Sequence, residues 1–120
     1  MIAATPGASA WVGRFLHAAP AGGRLLDVAC GGGRHLRLAL ARGWSVTGLD
    51  RDLTGVDDLA GDPRVELIAA DLEAEGASWP LAQRHFAAVV VTNYLWRPVL
   101  PDIVAAVADD GLLIYETFAV

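Results

Sequence analysis

The chain has 120 residues, 54% hydrophobic and 19% charged, with 14 acids against 9 bases and a formal charge of −5. That length suits one domain with one core, burying roughly two-thirds of the surface an unfolded chain exposes, and is too short for two. This apolar content excludes a disordered or fibrous chain. The bases are all Arg, scattered singly from Arg14 to Arg97, so a grip on nucleic acid through clustered positive charge is not indicated. The absence of Lys beside abundant Ala and Arg suits a GC-rich bacterial genome. No apolar run approaches the ~20 residues that span a bilayer, and residues 1–10 lack a basic segment ahead of an apolar one, which points to the cytoplasm. Cys30 is the single cysteine, which excludes an intramolecular disulfide and leaves no thiolate cluster for a metal. His17, His35 and His85 follow no ligand spacing and are expected as ordinary surface or helix residues, so no metal is expected.

In chain order, a first helix is expected over residues 9–18, with Trp11, Val12, Phe15 and Leu16 at helical spacing behind a Ser9 cap and a stop at residues 20–23. An apolar strand follows over 24–30, then three glycines. The next helix, 33–42, sets Leu36 and Leu40 on one face with Leu38 and Ala39 beside them, turns Arg34, Arg37 and Arg42 towards water and stops at Gly43. A second strand covers 45–50, a short helix 53–59, a turn Asp62-Pro63 and a third strand 65–71. The fourth strand spans 86–94, a helix 98–108 with Pro98 and Pro101 near its start, and a fifth strand 111–118. Four of the five apolar runs are continuous rather than alternating, as strands buried on both faces of a parallel sheet read. The alternation of strand and helix implies a single α/β domain over residues 1–120, with right-handed crossovers.

The segment 24–30 followed by Gly31-Gly32-Gly33 and a helix is a strand, a tight turn and a helix N-terminus. A backbone there can approach a ligand closely, at the carboxyl end of a strand where open α/β sheets bind their ligands. A dinucleotide fingerprint needs Gly-x-Gly-x-x-Gly. Starting at Gly31 puts Leu36 in the third place, and starting at Ala29 puts Arg34 there, so either register fails. An acid inside the strand end, Asp27, with glycines four and six residues later fits better.

In this respect Asp27-Val28-Ala29-Cys30-Gly31-Gly32-Gly33 resembles the first motif of class I S-adenosylmethionine-dependent methyltransferases, Glu/Asp-x-Gly-x-Gly-x-Gly. Ala29 stands for the first glycine, a small departure if its φ is negative. The resemblance implies a Rossmann-like, doubly wound parallel sheet of about five strands in the order 3-2-1-4-5, with S-adenosyl-L-methionine as cofactor. It continues at Gly48-Leu49-Asp50, where the acid accepts both ribose hydroxyls, with Arg51 beside it; a carboxylate suits two adjacent donors. After the third strand, Asp71 is placed at the adenine amino group and Leu72 over the ring. Thr92 and Asn93 would line the floor where the methyl leaves. The chain has Asn93-Tyr94-Leu95-Trp96 where some amino-directed members carry Asp/Asn-Pro-Pro-Tyr/Phe, so a nucleobase or protein amide acceptor is not indicated.

Asp27 is placed near the methionine end of the cofactor, or else holds the glycine loop by accepting its N–H groups. Gly31 and Gly33 belong to the loop, and Cys30 serves packing. Trp44 and Trp79 are expected as core or rim residues and Trp96 near the acceptor pocket. No catalytic residue is assigned; Tyr94 and Glu116 are candidate bases by position.

The resemblance is strongest to small bacterial methyltransferases related to the tellurite-resistance group, over residues 9–118, and leaves tellurite, a small metabolite and a macromolecule open as acceptors. A full class I domain continues past its fifth strand with a helix and two more strands. Here the last strand has an open apolar edge, for which a homodimer or strand exchange is expected. The alternatives are a shortened, catalytically weak or inactive S-adenosylmethionine-binding module and, less favoured by the glycine pattern, a nicotinamide-dependent oxidoreductase.

Overall fold

The structure, a computed structural model, describes residues 10–17 and 23–116. The order is α1 (Ala10–Leu16), β1 (Arg24–Val28), α2 (Arg34–Ala41), β2 (Ser45–Asp50), a 3-10 segment (Thr54–Leu59), β3 (Val65–Ala69), β4 (Phe86–Thr92), a short 3-10 turn (Arg97–Val99), α3 (Leu100–Ala105) and β5 (Val107–Glu116). The expected Ser9 cap, the stop at 20–22 and Phe118 lie outside the described residues, as do the side chains of Trp11 and Phe15.

The five strands are parallel, in the order β3-β2-β1-β4-β5. β1 pairs with β2 from Arg24↔Ser45 to Val28↔Leu49 and with β4 from Leu25↔Ala88 to Val28↔Val91. Successive side chains of a strand point to opposite faces, so β1 supplies two cores. Leu25 joins Val46, Ala88 and Val90 beneath α1, α2 and the 3-10 segment, which contribute Leu16, Leu36, Ala39 and Val56. Leu26 and Val28 join Leu49, Val89 and Val91 on the other face, under Leu81, Val99 and Ile103. Each such side chain contributes roughly 1.5–3 kcal/mol by leaving water.

Burial on both faces holds for β1, β2 and β4, whereas the edge strands β3 and β5 are mostly half-exposed. Three strands also end two residues sooner than their apolar runs. The chain leaves the sheet at Ala29 (φ 62) and Asn93 (φ 55), and after β3 the Glu73 N–H donates to Asp71 Oδ1 at 3.0 Å, closing a local turn. The segment after β2 is a 3-10 turn rather than an α-helix, broken at Val56 (φ −126), next to helix-poor Gly55.

The largest difference lies before β5. The last helix stops at Ala105 and β5 starts at Val107, because the Phe86 N–H donates to Ala106 O at 2.8 Å and Val107 pairs with Phe86. Asp109-Asp110-Gly111, which reads as a helix end, is instead a bulge between the pairs Phe86↔Val107 and Ala88↔Leu112, with Asp110 at φ 62. A Cβ on Gly111 would lie 2.7 Å from Ala108 O, so the bulge needs glycine there.

Arg42 is half-buried rather than turned fully to water. Its Nη1 donates to Gly13 O at 2.8 Å and ties α1 to α2.

Candidate functional site

The carboxyl ends of four adjacent strands surround a cleft of about 290 Å³. Ala29 follows β1, Asp50 ends β2 and Arg51 follows it, Asp71, Leu72 and Glu73 follow β3, and Tyr94 follows β4. The strand order reverses direction between β1 and β4, so the cleft spans the switch point at which doubly wound sheets bind ligands.

The glycine loop is built by local geometry. The Cys30 N–H donates to Leu49 O at 3.0 Å and the Gly33 N–H to Cys30 O at 2.9 Å, which folds the loop back on itself. Gly31 and Gly33 take φ of 54 and 78, where L side chains are strained. A Cβ on Gly33 would also lie 2.5 Å from Val56 Cγ1, whereas one on Gly31 or Gly32 would meet nothing within 4 Å. Gly33 is therefore a packing glycine, and Gly31 and Gly32 present an open backbone.

Ala29 is also left-handed, at φ 62, not at the negative φ expected of an alanine. The turn itself demands this conformation, and the methyl group is held at a cost of roughly 1–2 kcal/mol. The loop therefore retains the geometry of a glycine without the residue.

Asp50 organises the site. Its Oδ2 accepts the Gly31 N–H at 2.8 Å and its Oδ1 the Asp52 N–H at 3.0 Å. Each carboxylate oxygen retains acceptor capacity for a further donor. Asp50 is thus the acid that holds the glycine loop, a task open to Asp27 from sequence.

Asp27 lies beneath, 1% exposed, with Oδ2 3.9 Å from His35 Nδ1 and with Oδ1 lacking a hydrogen-bond partner among the described residues. Burial raises its pKa to about 8, with Arg34 opposing and Asp50 adding to the rise. His35 is 1% exposed, not at the surface, and burial and then Arg34 lower its pKa to about 4. Burial thus favours the uncharged form of both groups. Cys30 is buried and its thiol is pushed up to about 12 by burial and then by Asp27 and Asp50, as befits a packing residue.

Of the residues expected at the site, Ala29, Asp50, Arg51, Asp71 and Leu72 line the cleft, and Gly31 is bonded to it through Asp50. Cys30, Gly33 and Asp27 lie buried under the loop, and Thr92 is buried at the end of β4. Asn93 is exposed, its N–H donating to Glu116 O at 2.8 Å. Glu73 was not expected; the only signal is its place two residues after Asp71, within the turn that Asp71 caps. Tyr94 does line the cleft, but burial and then the Glu73 carboxylate push its pKa up to about 12, so it is a donor rather than a base at neutral pH. Its carbonyl accepts the Tyr115 hydroxyl at 2.7 Å. Trp44 is buried and Trp79 half-buried. Trp96 lies outside the cleft, in a cavity of about 90 Å³ with Trp79, Pro98 and Asp102.

Among the described residues no group of three or more His, Cys, Asp or Glu is placed to hold a metal, and no helix is long and apolar enough to cross a membrane.

Residues 25–109 match a family model described as "Methyltransferase domain". Comparison with curated proteins gave no match. Among solved structures, the chain is similar to a TehB-like SAM-dependent methyltransferase from Corynebacterium glutamicum, at 26% identity and a TM-score of 0.70 over 91% of this chain and 63% of that one. It is similar to an amino pentose methyltransferase from Micromonospora echinaspora involved in calicheamicin biosynthesis, solved with SAM bound, at 29% identity, TM-score 0.64, 90% and 48% coverage. A SAM-dependent methyltransferase from Mesorhizobium loti matches at 25% identity, TM-score 0.65, 85% and 50% coverage. The chain spans less than two-thirds of the length of each of these three.

Proposed function

This chain belongs to the methyltransferase-domain family, and we propose that it binds S-adenosylmethionine in the strand-end cleft and transfers the methyl group to a small-molecule acceptor. The observation that carries this reading is Asp50, fixed at the end of β2 by the Gly31 and Asp52 N–H groups with acceptor capacity to spare. The groups present fit the cofactor in three respects. A carboxylate at the end of β2 suits two ribose hydroxyl donors, an open backbone at Gly31 and Gly32 admits a close neighbour, and the buried Asp27 Oδ1 lacks a partner among the described residues.

Bound S-adenosylmethionine supplies a methyl carbon on a positively charged sulfur, open to in-line displacement by an acceptor lone pair. Everything else is done by the chain. Asp50 would accept from the ribose, with Arg51 beside it at the rim; Asp71 would accept from the adenine amino group, and Leu72 would cover the ring. Ala29, Cys30, Gly31 and Gly33 shape the loop under the methionine end, with Asp27 below. At the end of β4 it is Tyr94 that lines the cleft, with the buried Thr92 and the exposed Asn93 beside it. Holding the acceptor in line in a dry site supplies roughly 7–11 kcal/mol of the barrier by positioning, so no nucleophile or metal is required. No residue is assigned as a base, and the acceptor is open within small molecules.

We also read the chain as cytoplasmic and as a homodimer through β5. This strand is hydrogen-bonded on one side only among the described residues, and Leu113 on it is 36% exposed. Sedimentation at several concentrations tests the dimer; a monomer throughout would remove it.

Calorimetric titration with S-adenosylhomocysteine, and with NADH in parallel, tests the main reading. Selective binding of the former supports the cofactor; binding of neither leaves a methyltransferase fold without the cofactor function, and selective NADH binding would restore the oxidoreductase alternative.

A further inference from the structure

Two loops meet beside Asp50: the glycine loop after β1 and the 3-10 segment after β2. They touch at backbone level, since a Cβ on Gly55 would lie 3.1 Å from both Gly31 O and Gly32 Cα. One guanidinium joins them. Arg37, on the first turn of α2, makes a two-pronged pair with Asp58, Nη1 to Oδ2 at 2.6 Å and Nη2 to Oδ1 at 2.8 Å. The same Nη2 donates to Gly55 O at 3.2 Å, and Nε donates to Gly32 O at 3.3 Å.

We propose that Arg37 is a positioning residue for the cofactor site, a clamp that holds the glycine loop and the post-β2 segment as one rigid unit around Asp50. The inference rests on the reading of the cleft given above. Arg37 does not line the cleft and acts only through the loops.

Three observations support the clamp. The loop is held from two sides, by Asp50 at the Gly31 N–H and by Arg37 at the Gly32 carbonyl. The Arg37 side chain is 34% exposed, so its bonds lie on the outer side of the junction rather than in the core. Only a planar fork with donors on three nitrogens satisfies a carboxylate and two carbonyls together; a lysine supplies one point. The loop it secures is rich in glycine and would otherwise have to be ordered at the moment of binding, which lowers affinity.

The test uses the full chain and the variants Arg37→Met, Arg37→Lys and Asp58→Asn. Three readouts are taken: calorimetric affinity for S-adenosylhomocysteine, amide hydrogen exchange without ligand, and melting temperature. Arg37→Met should weaken binding roughly tenfold and speed exchange at residues 31–33 and 54–56, leaving the amides of β1 and β4 protected. Arg37→Lys should recover part of the affinity, and Asp58→Asn should fall between it and the wild type. Unchanged affinity in Arg37→Met, or faster exchange spread evenly over the sheet, would overturn the clamp. If the wild-type chain itself fails to bind, the cofactor reading fails, and local against uniform exchange then decides the clamp alone.

Discussion

His35 Nδ1 faces Asp27 Oδ2 across 3.9 Å in a position where both side chains are 1% exposed. The consequence is a stability profile set by proton counting. Unfolded, the carboxyl titrates at 3.8 and the imidazole at 6.5; folded, they titrate at about 8 and about 4. Asp27, raised, favours folding most below 3.8 and loses that contribution as pH climbs through 8. His35, lowered, favours folding above 6.5 and loses it as pH falls through 4. Between 4 and 6.5 each state holds one proton on the pair, so the slopes cancel. From 6.5 to 8 the folded state holds one proton more, so stability should fall by roughly 2 kcal/mol, about 1.4 per pH unit. Urea unfolding at pH 6 and pH 8 measures this. Asp27→Asn should abolish the alkaline decline and expose a rise between 4 and 6.5; a flat wild-type curve above 6.5 would mean that Asp27 is ionised in the fold.

Asp50→Ala removes the acceptor of the Gly31 N–H as well as the proposed ribose contacts. Loss of charge-assisted bonds of roughly 1.5–3 kcal/mol predicts S-adenosylhomocysteine binding weaker by about 10- to 150-fold. The circular dichroism spectrum should be unchanged, because Asp50 sits at a strand end outside both cores. Wild-type affinity in this variant would remove the ribose assignment.

Ala29→Gly should raise the melting temperature by a few degrees. It relieves a left-handed alanine, worth roughly 1–2 kcal/mol, and gives back about 0.4–1 kcal/mol through the freer unfolded chain. A lower melting temperature would show that the methyl group makes contacts that outweigh the strain.

Cys30 should be inert in the native protein. With the thiol buried and its pKa raised to about 12, a disulfide reagent at pH 8 should label native protein far more slowly than protein unfolded in urea. Fast native labelling would mean that the glycine loop opens readily.

Much of this molecule was readable from the chain because its signals are local. Continuous apolar runs marked the strands, and an acid followed by three glycines marked the turn after β1. Acids closing two further runs, Asp50 and Asp71, marked the rim of the cleft. The features that escaped depend on which face meets which neighbour. Nothing in the spacing of His35 or Arg42 tells an inward position from a wet one; α2 packs against both the sheet and α1, burying His35 and drawing Arg42 to Gly13 O. The Arg37 clamp joins residues 21 apart in sequence, and no periodicity reports it. Asp109-Asp110-Gly111 has the composition of a helix stop, yet the same residues suit a bulge, and only the pairing of Phe86 with Val107 decides between them.

The cleft also sits off-centre on the sheet. Among the described residues its walls come from the ends of β1, β2 and β3, with Tyr94 after β4 as the only contributor from beyond the switch point, while β5 supplies none. The two sides of the sheet are therefore unequally tied to the cleft. Drift along the bulged outer strand and the short helix before it can change what approaches the end of β4 without disturbing Asp50 or the loop it holds. On the proposed function, laboratory variation aimed at a new acceptor belongs on residues 95–116, away from Asp50 and the loop it holds.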